Sequence, residues 1–270
     1  MNLKKLLSAS VDAAKAAGAL MRKNLNVTKK VNAKTSHDIK LELDVRCQKL
    51  IEKKLHAAFP EIAVLGEEGN TGAEDAAYRW VIDPIDGTVN FSYGIPHACV
   101  CIALQKKESE ARSQKSGKSR SAGNYETILG VICDPFQDEL WSATTTDKAR
   151  LNGKPIHVST RAKLEDCICV MGYGKDEKMI RETLPLVANL TIKCRKLRNM
   201  GSAGLGLVYV ACGRFDAYIE RGVSLWDIAA GGFILERAGG EFWRVPIDDK
   251  HGYRMIVSNG RLRKKIEALM

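Results

Sequence analysis

One segment limits the folds open to this chain more than any other. The apolar run Tyr78–Ile82 leads into Asp83-Pro84-Ile85-Asp86-Gly87-Thr88. Trp80, Ile82 and their neighbours have the composition of a buried strand, so Asp83 is expected at its carboxyl end, where open α/β sheets place ligands. Pro84 has no N–H with which to continue a ladder, so the chain is expected to turn at once. Asp86 then lies near enough to Asp83 for both carboxylates to share one cation, with the Ile85 carbonyl as a third oxygen ligand. If a helix starts there, Gly87 and Thr88 would present backbone N–H groups to an anion. A second reading stands beside this one: an Asp-Pro/Asp-Gly turn whose carboxylates cap neighbouring N–H groups.

Acids elsewhere in the chain bear on that choice. Gly66-Glu67-Glu68-Gly69 follows the short apolar run Ile62–Leu65, and Trp226-Asp227 precedes the small-residue helix Ile228-Ala229-Ala230-Gly231-Gly232. Asp38 and Asp44 flank another helix start. Asp227 and Asp44 also have an ordinary reading as helix N-caps. Several acids at strand ends and helix starts repel one another unless something positive sits between them. Oxygen donors without clustered His or Cys point to Mg²⁺, ahead of Mn²⁺ or Ca²⁺. Gly201-Ser202-Ala203-Gly204 precedes an apolar helix, and two readings fit it: N–H groups approaching an anionic ligand, or Ser202 as an N-cap.

The rest of the chain is ordinary globular sequence. With 270 residues, 45% hydrophobic and 27% charged, it has enough material for about two domains and a sizeable core. No run reaches the roughly 18 uncharged apolar residues of a membrane span. Leu3, Leu6, Leu7, Val11, Ala14, Gly18, Met21 and Leu25 recur at helical spacing, while Asp12, Lys15 and Arg22 interrupt any signal-peptide core. A second helix is expected over Asp44–Ala58, with Leu50, Ile51, Leu55 and Ala58 inward. Strands are expected at Ala98–Leu104, Thr127–Cys133 and Glu139–Ala143, and a hairpin at Asn152-Gly153. Beyond it, strands such as Cys167–Met171 and Phe215–Ile219 alternate with helices such as Ile180–Asn189, Leu205–Cys212 and Ile228–Glu236. The pattern predicts layered α and β in two domains, 1–143 carrying most of the acids and 144–270 carrying Asp227.

Composition narrows the partners. The eight cysteines include Cys99/Cys101 and Cys167/Cys169, each pair on one face of a strand, and no Cys-x-x-Cys pair suggests zinc. They read as small buried hydrophobes in a reducing cytoplasm. The net charge of +10 raises nucleic-acid binding, but no aromatics interleave with the densest basic segment, Arg112–Arg120. A solvated basic surface is the favoured reading over a nucleic-acid site.

With these residues in view, the sequence resembles the inositol monophosphatase family of magnesium-dependent, often lithium-sensitive phosphatases. The resemblance runs from Lys34-x-x-x-Asp38 and Asp44, through Gly66-Glu67-Glu68 and Trp80–Phe91, to Leu151-Asn152-Gly153. It continues through Gly201-Ser202-Ala203, Glu220, Trp226–Gly231 and Gly239-Gly240. It implies an α-β-α-β-α sandwich, a homodimer, and two or three Mg²⁺ ions per subunit. Glu67, Asp83 and the Ile85 carbonyl would hold one ion, and Asp83, Asp86 and Asp227 a second. Glu67 would also assist catalysis through a third, water-rich ion, while Thr88 with Asp44 would orient and deprotonate the attacking water. Asp86 and the Gly87, Thr88 and Ala203 backbone groups would contact the substrate, and Glu220 a substrate hydroxyl. Arg221 would read a second phosphate or face solvent, the latter slightly favoured.

The expected activity is therefore cytoplasmic, Mg²⁺-dependent hydrolysis of a small phosphate monoester, foremost myo-inositol 1-phosphate. Fructose 1,6-bisphosphate, histidinol phosphate and 3′-phosphoadenosine nucleotides are the alternative substrates. An RNA- or transcription-associated binding protein is the alternative of another class.

Overall fold

The computed structural model describes residues 2–35, 39–108, 125–174, 176–248 and 251–270; Asp38 and most of the basic stretch Lys106–Arg120 lie outside them. Helix α1 (Leu3–Asn24) carries the expected stripe, with Leu6, Ala14, Gly18 and Met21 buried and Leu3, Leu7, Val11 and Leu25 half-buried at its margins. Asn2 caps it by accepting the N–H groups of Lys4 and Lys5. The short hairpin β1 (Val31–Lys34) and β2 (Ile39–Leu41) leads into α2 (Glu42–Ala58), which lies beside α1. Its inward row is Cys47, Ile51 and Leu55, continued by Phe59 at the same four-residue step. Ala58, expected to face inward, is off that row and exposed, and Leu50 is half-buried.

The first sheet is built from β3 (Ala63–Gly66), β4 (Gly69–Thr71) and β5 (Tyr78–Asp86), then, past the short helix α3 (Thr88–Ser92), β6 (Cys99–Lys107) and β7 (Tyr125–Asp134). It is completed by β8 (Glu139–Thr144), β9 (Asp147–Leu151) and β10 (Lys154–Pro155). The strand order is β10-β9-β8-β7-β6-β5-β3-β4, antiparallel except for β3 beside β5. Asn152 and Gly153, with φ of 48° and 78°, make the expected tight turn between β9 and β10.

The second half alternates as its pattern requires: β11 (Ile168–Met171), α4 (Glu177–Lys193), β12 (Lys196–Arg198), α5 (Ala203–Ala211) and β13 (Ala217–Ser224). Then come α6 (Leu225–Arg237), β14 (Glu241–Pro246), β15 (Gly252–Ser258) and α7 (Arg263–Glu267). These strands form a second sheet in the order β12-β11-β13-β15-β14.

Strand alternation sets the layers. On β5, Trp80 and Ile82 face α1 and α2, packing with Leu6, Met21, Ile51 and Leu55. Val81 points the other way, into a core shared with Leu205 and Val208 of α5, Ile228 and Ile234 of α6, and Tyr218 and Met255 of the second sheet. The far face of that sheet, through Ile219 and Ile256, meets Leu186 and Leu190 of α4 and Ile266 of α7. The result is the expected α-β-α-β-α sandwich, a mixed α/β fold. Sheet membership changes after Pro155, and α6 packs on both sheets. The two-part division at residue 143 is a proposal about folding units.

The central helices sit close against the first sheet. A Cβ on Gly130 of β7 would stand 2.7 Å from the Ala230 carbonyl oxygen of α6. Helix backbone cannot swing aside as a flexible side chain can. Gly130→Ala is therefore expected to lower the unfolding free energy by about 1–3 kcal/mol. Urea denaturation measures it, and an unchanged midpoint would mean that the layer spacing yields freely.

Candidate active site

The site forms where β3, β5, α5 and α6 end or begin around one cavity of about 580 Å³. Asp83 and Asp86 are three residues apart, and in a regular strand they would point to opposite faces. The β5–β6 pairing prevents this: Asp83 stands opposite Cys101 and Asp86 opposite Cys99, so β5 gains one residue on its partner. That bulge at Pro84-Ile85 returns Asp86 to the face of Asp83. The strand therefore continues to Asp86, where the sequence predicted a turn directly after Asp83. The proline is accommodated by the bulge.

Both readings of this segment hold in part. Asp83 accepts the Ile85 N–H on Oδ1 at 3.0 Å, which is the turn-capping role. Yet oxygens of Asp83, Asp86 and Asp227 also lie within 4.8 Å of one another. Asp227 is not the N-cap of α6, which is Ser224 because the helix starts at Leu225; it stands in the first turn, takes the Ser224 N–H on Oδ2 at 2.6 Å and keeps its place in the cluster. Asp44 is likewise in the first turn of α2 and is not its N-cap, which is Leu41; it takes the Leu41 N–H on Oδ2 at 2.7 Å. It is buried and is not among the residues lining the cavity.

The paired acids of the β3–β4 turn divide. Glu67 lines the cavity, and its N–H extends the ladder to the Ile82 carbonyl at 3.2 Å. Glu68 turns to Lys40 at 3.0 Å. Gln48 of α2 holds this turn in place, accepting the Glu68 N–H and donating to the Gly69 carbonyl, each at 2.9 Å. Its carboxamide occupies the space that a Cβ on Gly66 would need.

Asp86 reaches across to the start of α5. Its carboxylate accepts the Ala203 N–H at 3.0 Å, the Gly204 N–H at 2.8 Å and the Ser202 hydroxyl, and the Cys99 thiol at 3.4 Å. Ser202 also receives the Leu205 N–H as N-cap at 3.4 Å. The Ala203 N–H, expected to meet a bound phosphate, is thus committed to Asp86. A protein carboxylate has taken the anion position at this helix start. Gly87 turns the chain with φ of 92° into α3, whose first N–H groups have no intrahelical partner. Thr88 donates its hydroxyl to the Ile85 carbonyl at 2.8 Å.

Four features of the site escaped the sequence. Tyr218 lines the cavity and donates its hydroxyl to Glu220. Gly172 leaves room for the Glu220 carboxylate, which would lie about 2.0 Å from a Cβ there. Asn90 donates to the Met200 carbonyl at 2.8 Å and the His97 carbonyl at 3.0 Å, tying α3 to the loop before α5. Gln48 is the fourth. Tyr218 and Glu220 are two apart on β13, a spacing that puts them on one face, whereas Gly172 meets Glu220, Asn90 meets Met200 and Gln48 meets the 68–69 turn across the fold, where no local pattern marks them. Arg221, expected to face solvent, pairs with Glu182 of α4 and does not line the cavity.

The electrostatics are one-sided. Among the described residues the cavity is lined by Glu67, Asp83, Asp86, Glu220 and Asp227 and by no Lys, Arg or His, in a chain of net charge +10. Burial pushes the Asp83 carboxyl well above its ordinary range, and Glu67, Asp86 and Asp227 push it further. Burial also raises Asp86, against the lowering effect of its hydrogen bonds from Ser202, Ala203 and Gly204. An all-oxygen donor set this short of positive charge fits hard divalent cations of the Mg²⁺ type. Glu67, Asp83, Asp86 and Asp227 are the residues available to hold them.

Comparison with known proteins agrees with this geometry. The profile of the "Inositol monophosphatase family" matches residues 2–112 and 121–265. "Inositol monophosphatase 1" of Solanum lycopersicum is 36% identical over 246 residues, 88% of this chain and 84% of that protein. "Nus factor SuhB" of Xylella fastidiosa is 36% identical over 233 residues, 85% of this chain and 78% of that protein. The solved inositol monophosphatase from Anabaena superposes with a TM-score of 0.82 at 31% identity, covering 100% of this chain and 96% of that one. The chain belongs to the inositol monophosphatase family, enzymes that hydrolyse phosphoric monoesters.

Proposed function

We propose that this chain hydrolyses a small phosphate monoester, foremost myo-inositol 1-phosphate, with two or three Mg²⁺ ions held in the acidic cavity. The observation that carries the reading is the convergence of Asp83, Asp86 and Asp227 within 4.8 Å in a cavity without basic side chains among the described residues. Glu67, Asp83 and the Ile85 carbonyl form one proposed ligand group, and Asp83, Asp86 and Asp227 the other. Bound there, divalent cations supply Lewis-acid neutralisation of phosphoryl charge and acidify the attacking water.

The protein's own groups do the rest. Thr88 and Asp44 are assigned to orienting the water and receiving its proton, Thr88 being held by its bond to the Ile85 carbonyl. Gly87 and Thr88 N–H groups face the phosphate. Glu220, fixed by Tyr218, accepts a hydrogen bond from a substrate hydroxyl. All eight cysteines are free, which supports a reducing, cytoplasmic setting, and no described helix is long and apolar enough to cross a membrane.

A panel of phosphate monoesters assayed with Mg²⁺, with EDTA and with added Li⁺ tests this reading. Inositol 1-phosphate is expected to be turned over fastest, with loss in EDTA and inhibition by Li⁺. Asp227→Asn is expected to lower phosphate release at least about a hundredfold. Near-normal turnover by the folded variant would refute the ligand assignment.

Stability offers an independent check. Asp83 titrates higher in the folded chain than its ordinary 3.8, so its contribution is fully present below that value. It is lost as pH rises through the raised pKa. The EDTA-treated protein is therefore expected to melt lower at about pH 8 than at about pH 5, with Mg²⁺ stabilising it more at the higher pH. Thermal melts in both buffers measure this, and equal Mg²⁺ effects would argue against cation binding at Asp83.

The relatives named Nus factor SuhB support a second reading, a transcription-associated binding role; the homodimer rests on the family resemblance alone. Sedimentation gives the oligomeric state. Co-sedimentation with RNA at low and high salt tests the basic surface, and no binding at low salt removes the RNA role.

A further inference from the structure

Cys99 and Cys101 project from the same face of β6, opposite Asp86 and Asp83, and both are buried. The Cys99 sulfur lies 3.7 Å from that of Cys101 and 3.4 Å from Asp86 Oδ2. The three donors gather in front of one α-carbon. A Cβ on Gly204 would stand 2.6 Å from the Cys101 sulfur, 2.9 Å from the Cys99 sulfur and 3.1 Å from Asp86 Oδ2. Glycine at residue 204 is what lets the three donors approach the start of α5 this closely.

The two edges that meet at the Cys99 sulfur match a tetrahedral thiolate site, and all three donors lie within 4.8 Å of one another. Zn–S bonds of about 2.3 Å and a Zn–O bond of about 2.0 Å place two sulfurs about 3.8 Å apart and sulfur from oxygen about 3.5 Å apart. We propose that Cys99, Cys101 and Asp86 form a second cation site, for a thiophilic divalent ion such as Zn²⁺, whose occupation inhibits the phosphatase by withdrawing Asp86. The inhibition rests on the placement of Asp86 in the Mg²⁺ cavity; the binding does not.

The charge balances. One cation with a charge of two replaces two thiol protons, which leave to solvent as Cys99 and Cys101 become thiolates. The net charge of the buried group is therefore unchanged, which removes the main cost of bringing an ion inside. The cation takes the place of the proton that Cys99 now directs at Asp86. Asp86 lines the cavity, so the ion reaches the thiols past the carboxylate that it captures. Mg²⁺ prefers oxygen ligands and gains nothing from the sulfurs.

The test uses the metal-free chain and Cd²⁺ as the probe, because Cd²⁺–thiolate bonds absorb in the ultraviolet. One equivalent of Cd²⁺ per chain is expected to give that absorption, and the double variant C99S/C101S to lose it. At saturating Mg²⁺, Zn²⁺ is expected to inhibit phosphate release reversibly, and the double variant to need at least about tenfold more Zn²⁺ for the same inhibition. Inhibition is read against each protein's own rate without Zn²⁺. No thiolate absorption in the parent chain, the same absorption in C99S/C101S, or equal Zn²⁺ inhibition of both overturns the proposal. If the double variant folds poorly, C101S alone answers the question through the same two readings. The absorption needs no turnover, so failure of the substrate assignment and failure of this site are separate results.

Discussion

Asp83 is buried, and the charged groups that act on it most strongly, Glu67, Asp86 and Asp227, all repel its negative charge. The sandwich brings these acids together from a β-turn, a bulged strand and the start of a helix. Such an arrangement opposes folding unless protons or cations neutralise it. The layers on either side supply the stability that makes the concentration of charge tolerable. Trp80 and Ile82 anchor one face of β5 and Val81 the other, so the strand cannot shift to relieve the repulsion without exposing a core.

Hydrogen bonds then separate the acids by role. Asp86 is surrounded by donors from Ser202, Ala203 and Gly204, whereas Asp83 has the Ile85 N–H. The helix start that would suit an external anion is used to hold a protein carboxylate in a fixed orientation. This leaves Gly87 and Thr88, at the α3 start, as the backbone groups assigned to substrate. Glu220 is similarly fixed by Tyr218, in space left by Gly172. Asp86 and Glu220 are thus held by the protein's own donors, which is what a preorganised phosphoryl-transfer site requires.

Much of this was legible in the chain. The α1 stripe, the Asn152-Gly153 turn and the strand–helix alternation after β10 follow from local periodicity and turn chemistry, which act over a few residues. The site acids stood out at strand ends and helix starts, but turn and cap readings fitted them as well, and it was the family resemblance that joined them into one site. The bulge at Pro84-Ile85 was not legible, since proline by itself predicts a turn and only pairing with β6 shows the strand continuing. Gln48 reads as one more polar helix residue until the 67–69 turn is seen packed against it. Arg221 gives no sign in the sequence that Glu182 will be its partner.

By itself, the sequence determined which residue types the protein can bring to a reaction: carboxylates at strand ends and helix starts, small residues beside them, and no clustered histidine. It also determined the order of helices and strands, because those depend on neighbours along the chain. The tertiary structure decided which acids meet, which helix start is spent on Asp86, and which thiols lie against it. Those outcomes depend on register between strands and on contacts across the two sheets, where a shift of one residue reverses the face that a side chain presents.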